Sequence, residues 1–308
     1  MKSSVKIFAP ATISNVGPGF DLMGFALEQP GDIMIVKPND LGQIRIINNT
    51  NADIPVEPEM NVASVSVNAL LDSLGCKTGF DLIFETKINP GSGIGSSAAS
   101  CTAAVVGVNE LLNRPYSQKE LLPFAMKGEF IASGSVHADN VAPALLGGFI
   151  LIRDYNPVDI IRIDSPSELI CTVAHPDIQI KTSESRKLIP KVLPVAKVLE
   201  QCGNIAGLIA GLTTSDYPLI GRSLHDAIAE PVRAALIPGY LEIKERLPKT
   251  GALGGNISGS GPSVFALSDN PESARKAAAL MSEIFSREGL SNKVYISKVS
   301  RQGTRLID

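Results

Sequence analysis

Residues 89–100 read NPGSGIGSSAAS, with three glycines, four serines and no charged side chain, directly ahead of an Ala/Val-rich run. A strand delivering a glycine-rich turn into a helix makes an anion site by geometry. The unsatisfied N–H groups of a helix N-terminus point outward with partial positive charge, and glycine lets an anion approach the backbone closely. Gly91, Gly93 and Gly95 supply the permissive backbone, and Ser96 and Ser97 supply hydroxyls where the helix opens. A P-loop would need a lysine after the last glycine, where Ser96 stands, so that reading fails. A dinucleotide fingerprint would run Gly91-x-Gly93-x-x-Ser96, lacking its last glycine and any βαβ start to the chain. The plain alternative is a solvated surface turn. Against it, the continuation SSAASCTAAVVGVNELLN is small and apolar throughout and reads as a buried helix, which a solvated turn would not need.

Two further segments share this character. Residues 8–27, FAPATISNVGPGFDLMGFAL, set Asn15 and Asp21 in a Gly/Pro-rich turn, and residues 251–267, GALGGNISGSGPSVFAL, run a Gly/Ser turn into a strand. Three such turns in one chain suggest that distant segments converge on one ligand. Taken alone, Glu129 reads as a solvated helix carboxylate, Asn61 as a helix cap and His137 as a brace within its turn. His175 and His225 read as structural.

These residues need elements to position them. VKIFAP reads as an opening strand closed by Pro10, and DIMIVKP and QIRIINN as two short strands joined by a hairpin-like NDLGQ connection. NVASVSVNALLDSLG fits a helix with an Asn cap and Gly75 as its stop. FDLIFETKI alternates as a strand leading into the glycine loop. SQKELLPFAMKGEFIASG reads as a helix with Pro123 in its first turn. Further strands are GGFILIRDY, LICTVAH, SVFALSD and KVYISKV, with helices near 191–212, 218–229, 238–247 and 271–288. Strands and helices mix without βαβ regularity, favouring α+β over a doubly wound sheet. The stretch YNPVDIIRIDSP marks the expected division, giving domains 1–160 and 161–308.

The 308 residues can bury a large core, and 44% hydrophobic with 19% charged residues describe a globular protein. A net charge of -3 gives no electrostatic reason to expect nucleic acid or a membrane as partner. Cys76, Cys101, Cys171 and Cys202 form no CxxC pair, which reads as buried free thiols in a reducing compartment. The N-terminus lacks an apolar signal region and no run is long enough to span a bilayer, so a cytoplasmic protein is expected.

Together the three segments resemble the motifs of the GHMP kinase superfamily, over nearly the whole chain. Within it, PATISNVGPGFDLMGFAL, GSVHADNVAPALLGGF (134–149), KTSESR (181–186), AEPVR (229–233) and ISGSGPS (257–263) are most similar to the branch that phosphorylates L-homoserine. Ile94 replaces the usual leucine, and Pro90 sits directly before Gly91 rather than one place earlier. The resemblance implies an α+β GHMP kinase fold: an N-terminal ribosomal-protein-S5-like domain and a C-terminal ferredoxin-like domain. It implies that ATP lies on Pro90, Gly91, Ser92, Gly93, Ile94, Gly95, Ser96, Ser97 and Ala98, with adenine near Asn61 and Val62. Ser97 and Glu129 would hold Mg2+, which favours oxygen ligands and few protein groups. An amino-acid substrate needs an arginine fork for its carboxylate and an acidic or amide oxygen for its ammonium. Arg186 and Arg233 match the arginines that the family would use for the carboxylate; Asn15, Asp21 and Asn140 match positions that would hold the amino group and the hydroxyl. His137 and Gly259 fall in the matching substrate segments. The turn SVHADN aligns with the catalytic aspartate of mevalonate kinase-like relatives at Asp139 or, shifted by one, at Asn140. The shifted version is preferred, leaving catalysis to orientation by Asn140 with Asp139 as electrostatic neighbour and Glu129 at the metal. The resemblance also implies a homodimer as a common assembly. Another small-molecule kinase of the superfamily, or a catalytically silent sensor, are the alternatives.

Overall fold

The computed structural model describes residues 3–134 and 137–308. Ser135 and Val136 of the 134–149 motif lie outside the described residues. The first half builds one sheet from β1 (Val5–Ser14), β2 (Met23–Asn39), β3 (Ile44–Asn48), β4 (Gly79–Thr86), β5 (Phe149–Tyr155) and β6 (Val158–Ile163). Over it lie α1 (Val62–Leu74), α2 (Ser96–Leu111), α3 (Leu122–Ser133) and α4 (Val141–Leu146). The second half contributes β7 (Ile170–Pro176), then α5 (Thr182–Lys187), α6 (Val195–Thr214), α7 (Tyr217–Ser223), α8 (Glu230–Arg233) and α9 (Tyr240–Arg246). It continues with β8 (Gly254–Ile257), β9 (Val264–Ser268), α10 (Pro271–Arg287), β10 (Asn292–Lys298) and β11 (Arg305–Ile307). The order β11-β1-β2-β4-β3, with β5 on the opening of β2 and β6 beside it, forms the first sheet; β10-β7-β9-β8 forms the second. The mixture is α+β, as expected.

Several elements differ from the sequence reading. Pro10 does not close the first strand: β1 runs through it, and a register shift against β2 between Pro10 and Thr12 absorbs the missing N–H. The two runs 32–38 and 43–49 are not a hairpin, because β4 lies between β2 and β3 and pairs parallel with β3. The pair Arg45–Asp81, with Nη2 2.7 Å from Oδ2, ties β3 to β4, and α1 supplies the crossover that a parallel pair requires. β6 lies within the stretch expected to mark the domain division, and β8 and β11 were not expected as strands. The helix expected over 218–229 stops at Ser223, because the Asp226 carboxylate accepts the N–H groups of Ile228, Ala229 and Glu230 and opens a new helix there.

The boundaries of α1 follow the expectation. Asn61 accepts the Ala63 N–H at 3.0 Å, and Gly75 ends the helix at φ 60. α2 is buried along nearly its whole length between the first sheet and α1, α3 and α4, which is why its sequence has no polar face. α10 covers the second sheet through Ala277, Met281, Ile284 and Phe285. All four cysteines are free; Cys101 and Cys171 are buried, but Cys202 is exposed and Cys76 half-buried. Among the described residues no helix is long and apolar enough to cross a membrane.

Candidate active site

A cleft of about 570 Å³ opens where the glycine loop after β4, the N-terminus of α2, the 15–21 turn and segments of the second half meet. Gly91, Gly93 and Gly95 have φ of 74, 76 and 71, whereas Ser92 and Ile94 between them are not left-handed. Such alternation can turn free N–H groups into an anion-binding concavity, although the Ser92 N–H already donates to Asn89 O (3.3 Å). The carbonyls of the loop are held from behind. Ser263 Oγ donates to Ser92 O (2.5 Å), Ser258 Oγ to Gly93 O (2.6 Å) and the Thr12 N–H to Ile94 O (3.1 Å). α2 then begins at Gly95 with no side-chain cap, and Ser96 and Ser97 face the cleft. Only glycine fits at 95, where a Cβ would lie 2.0 Å from Thr12 Oγ1.

Beside this nest, α3 brings Glu129 to Ser97. The carboxyl is buried, correcting its reading as a solvated helix residue, and burial pushes its pKa up to about 7 against the pull of the Ser97 hydroxyl. Among the described residues no group of three or more His, Cys, Asp or Glu is arranged to hold a metal. The Ser97 hydroxyl and the Glu129 carboxyl are thus two oxygen-bearing groups side by side at the cleft.

The other end of the cleft carries charge of both signs. In the 15–21 turn Asn15, Val16 and Asp21 all hold positive φ. Asn15 Nδ2 donates to Gly259 O (2.9 Å) and its Oδ1 accepts the Asp21 N–H (3.1 Å). The Asp21 carboxylate forms a two-pronged pair with Arg186, Nη1 at 3.2 Å from Oδ1 and Nη2 close to Oδ2. His137 Nδ1 lies 3.6 Å from Asp21 Oδ1, and burial lowers its pKa, favouring the neutral ring. Arg233 donates from Nη1 to Gly259 O at 2.9 Å; among the described residues its buried Nε has no hydrogen-bond partner. The Phe20 ring lies 5.5 Å from the Arg186 guanidinium and 5.1 Å from that of Arg233. Between the two ends sits Asn140, its Oδ1 accepting from Thr12 Oγ1 (2.7 Å) and its Nδ2 donating to Ser14 Oγ (2.9 Å). Asp139 is buried beside it, and burial with the charges of Asp21 and Glu129 raises its pKa to about 7.

The matches to known proteins bear on what this cleft is. Residues 61–148 fit the model of the GHMP kinases N terminal domain and residues 205–287 that of the GHMP kinases C terminal domain. The chain is 44% identical to a homoserine kinase of Chlorobium phaeobacteroides (strain BS1), over 97% of this chain and 98% of that protein. The chain belongs to the homoserine kinase family of GHMP kinases. The homoserine kinase of Chloroherpeton thalassium matches equally, at 44% over the same shares. The crystal structure of the homoserine kinase from Cytophaga hutchinsonii superposes with a TM-score of 0.96 at 44% identity, covering 100% of this chain and 98% of that one.

In this GHMP kinase the cleft collects Asn15, Asp21, Asn61, Val62, Pro90, Gly91, Ser92, Gly93, Gly95, Ser96, Ser97, Glu129, His137, Asp139, Asn140, Arg186, Arg233 and Gly259. Two residues expected on the nucleotide do not line it. Ile94 and Ala98 are 1% and 0% exposed and turn their side chains into the core, the inward positions of an alternating loop and a helix first turn. Asn61 faces the cleft and also caps α1, its Nδ2 donating to Pro55 O at 2.6 Å. His225 pairs with Glu200 at 3.0 Å on the surface, and His175 Nδ1 lies 3.3 Å from Ser263 Oγ behind the loop.

Sequence reasoning missed Lys87. The lysine absent after Gly95 is present before the loop, buried with Nζ 3.0 Å from Asp32 Oδ2 and 2.9 Å from Ser96 O. Asp32 also accepts the Ile88 N–H (2.8 Å) and the Ser100 hydroxyl (3.0 Å), so one ion pair closes the loop upon α2. Nothing in ETKINPG distinguishes this lysine from one on an exposed strand end. Thr182 and Ser260, with hydroxyls 3.2 Å apart at the cleft, were also missed.

Proposed function

We propose that this GHMP kinase transfers the γ-phosphoryl group of ATP to the side-chain hydroxyl of L-homoserine, giving O-phospho-L-homoserine on the cytoplasmic route to threonine. The observation that carries the reading is one cleft with a nest of amides at one end and Asp21, Arg186 and Arg233 at the other. A phosphate chain suits the first end, and a zwitterion suits the second. Arg233, whose buried Nε has no hydrogen-bond partner among the described residues, and Arg186 would receive the carboxylate. Asp21 would take the ammonium, with the substrate's two charges replacing part of its pairing to Arg186. The paired oxygens of Ser97 and buried Glu129 fit Mg2+, which, when bound with ATP, neutralises charge on the transferring phosphates.

Asn140, fixed by Thr12 and Ser14, orients the hydroxyl; an amide accepts no proton at neutral pH, so the assignment gives the site no base there. Transfer then rests on in-line placement and charge neutralisation. Residues 1–160 would carry the nucleotide, and 161–308 would bring Arg186 and Arg233 to complete the substrate end. The test is ADP release with Mg-ATP, comparing L-homoserine with mevalonate, pantoate and L-serine, and Ser97→Ala as control. Turnover on L-homoserine alone, lost in the variant, is expected. Turnover on another alcohol instead would overturn the roles of Arg186 and Arg233.

A further inference from the structure

Gln201 lies on the buried face of α6, 5% exposed and outside the lining of the cleft. Its amide engages three groups from two separate segments. Nε2 donates to Pro18 O at 2.7 Å and to Asp226 Oδ1 at 3.0 Å, while Oε1 accepts the Ala227 N–H at 2.7 Å. Pro18 belongs to the turn that carries Asn15 and Asp21, and Phe20 of that turn lies against both guanidinium groups. Asp226 in turn accepts the N–H groups of Ile228 (2.8 Å), Ala229 (3.0 Å) and Glu230 (3.0 Å), the groups that open α8, and α8 ends on Arg233.

One side chain therefore joins the mounting of the acidic group to the mounting of the arginine. We propose that Gln201 is a positioning residue of the substrate end, fixing the distance between Asp21 and Arg233 and so the size of zwitterion the cleft accepts. The inference rests on the L-homoserine reading above. Its hydrogen bonds reach neither the glycine loop nor Lys87, so its direct hold is on the substrate end. A glutamine chosen only for burial would serve the fold without favouring one substrate over the other.

The test is Gln201→Met, which keeps the length and removes both donors, with separate KM values for L-homoserine and ATP. The KM for L-homoserine is expected to rise roughly tenfold or more, with that for ATP moving less than about twofold. Where Met at this buried site prevents folding, Gln201→Asn keeps the amide but withdraws it by one methylene, and the same split is expected. If both KM values stay put while kcat falls with the folded fraction, or both rise together, the positioning role is wrong. Wild-type protein that fails to turn over L-homoserine in the same assay brings down the functional reading instead.

Discussion

Glu129, proposed as a metal ligand, is a buried carboxyl whose titration bears on stability. Its folded pKa, raised by burial to about 7 from the ordinary glutamate value of 4.5, means that the folded protein holds a proton there which the unfolded chain releases. Stability from this group is therefore greatest below the unfolded value and falls as pH rises from 4.5 to about 7. Magnesium takes the ionised form, so metal binding opposes this preference. Two outcomes are expected. At subsaturating Mg2+ the apparent KM for the metal rises by about tenfold per pH unit below neutrality. Glu129→Gln loses Mg-dependent turnover yet is more stable than the wild type at pH 8, by on the order of 3 kcal/mol, with the gain shrinking as pH falls and gone only below about 4.5. A variant that melts lower at pH 8 would show that the carboxylate serves the fold. Residue types were legible here in advance: Ser97, Asp21, Arg186 and Arg233, which the resemblance picked out, all line the one cleft. Burial was not, because the sequence around Glu129 and Lys87 looks the same whether the side chain meets solvent or a partner such as Asp32.

At the scale of elements, the loop and α2 behave as one piece, and Gly95 is their joint. An alanine there would need a left-handed backbone, costing about 1–2 kcal/mol, and its Cβ would collide with Thr12, whose own hydroxyl holds Asn140. Gly75, which ends α1 at φ 60, has the same backbone demand with nothing within 4 Å of a Cβ. Gly75→Ala should lower stability by about 1 kcal/mol and leave ATP binding alone, whereas Gly95→Ala should abolish it. Thermal melts with and without Mg-ATP separate the two; equal loss of the ATP-induced shift in both would refute the local account. Helices with strong end signals, such as α1, and strands with clear alternation were readable from sequence. The β2–β4–β3 order was not. A short loop between two strands suggests a hairpin, and only the cross-strand partner of Arg45 reveals that Asp81 on a later strand has displaced it.

For the whole molecule, the three glycine-rich segments meet as their shared character suggested, and the bonds that join them cross the two sheets. The Gly259 N–H donates to Ser14 O (3.2 Å), Asn15 reaches Gly259 O, and Ser258 and Ser263 hold the carbonyls of Gly93 and Ser92. The second half thus shapes the glycine loop without supplying a residue of the loop itself. Both serines are fully buried, so removing their hydroxyls leaves two loop carbonyls dry and unpaired, at about 1 kcal/mol or more each. Those carbonyls are freed to rotate into the cleft, where they would face phosphate oxygens. The double variant Ser258→Ala/Ser263→Ala is therefore expected to raise the KM for ATP by roughly tenfold or more. Gln201 and Arg233 remain in place, so the KM for L-homoserine should move far less, the reverse of the split expected for Gln201→Met. Had the nest been shaped by its own glycines alone, the ATP KM of the double variant would stay at the wild-type value, and the second half would act on the nucleotide only through the substrate.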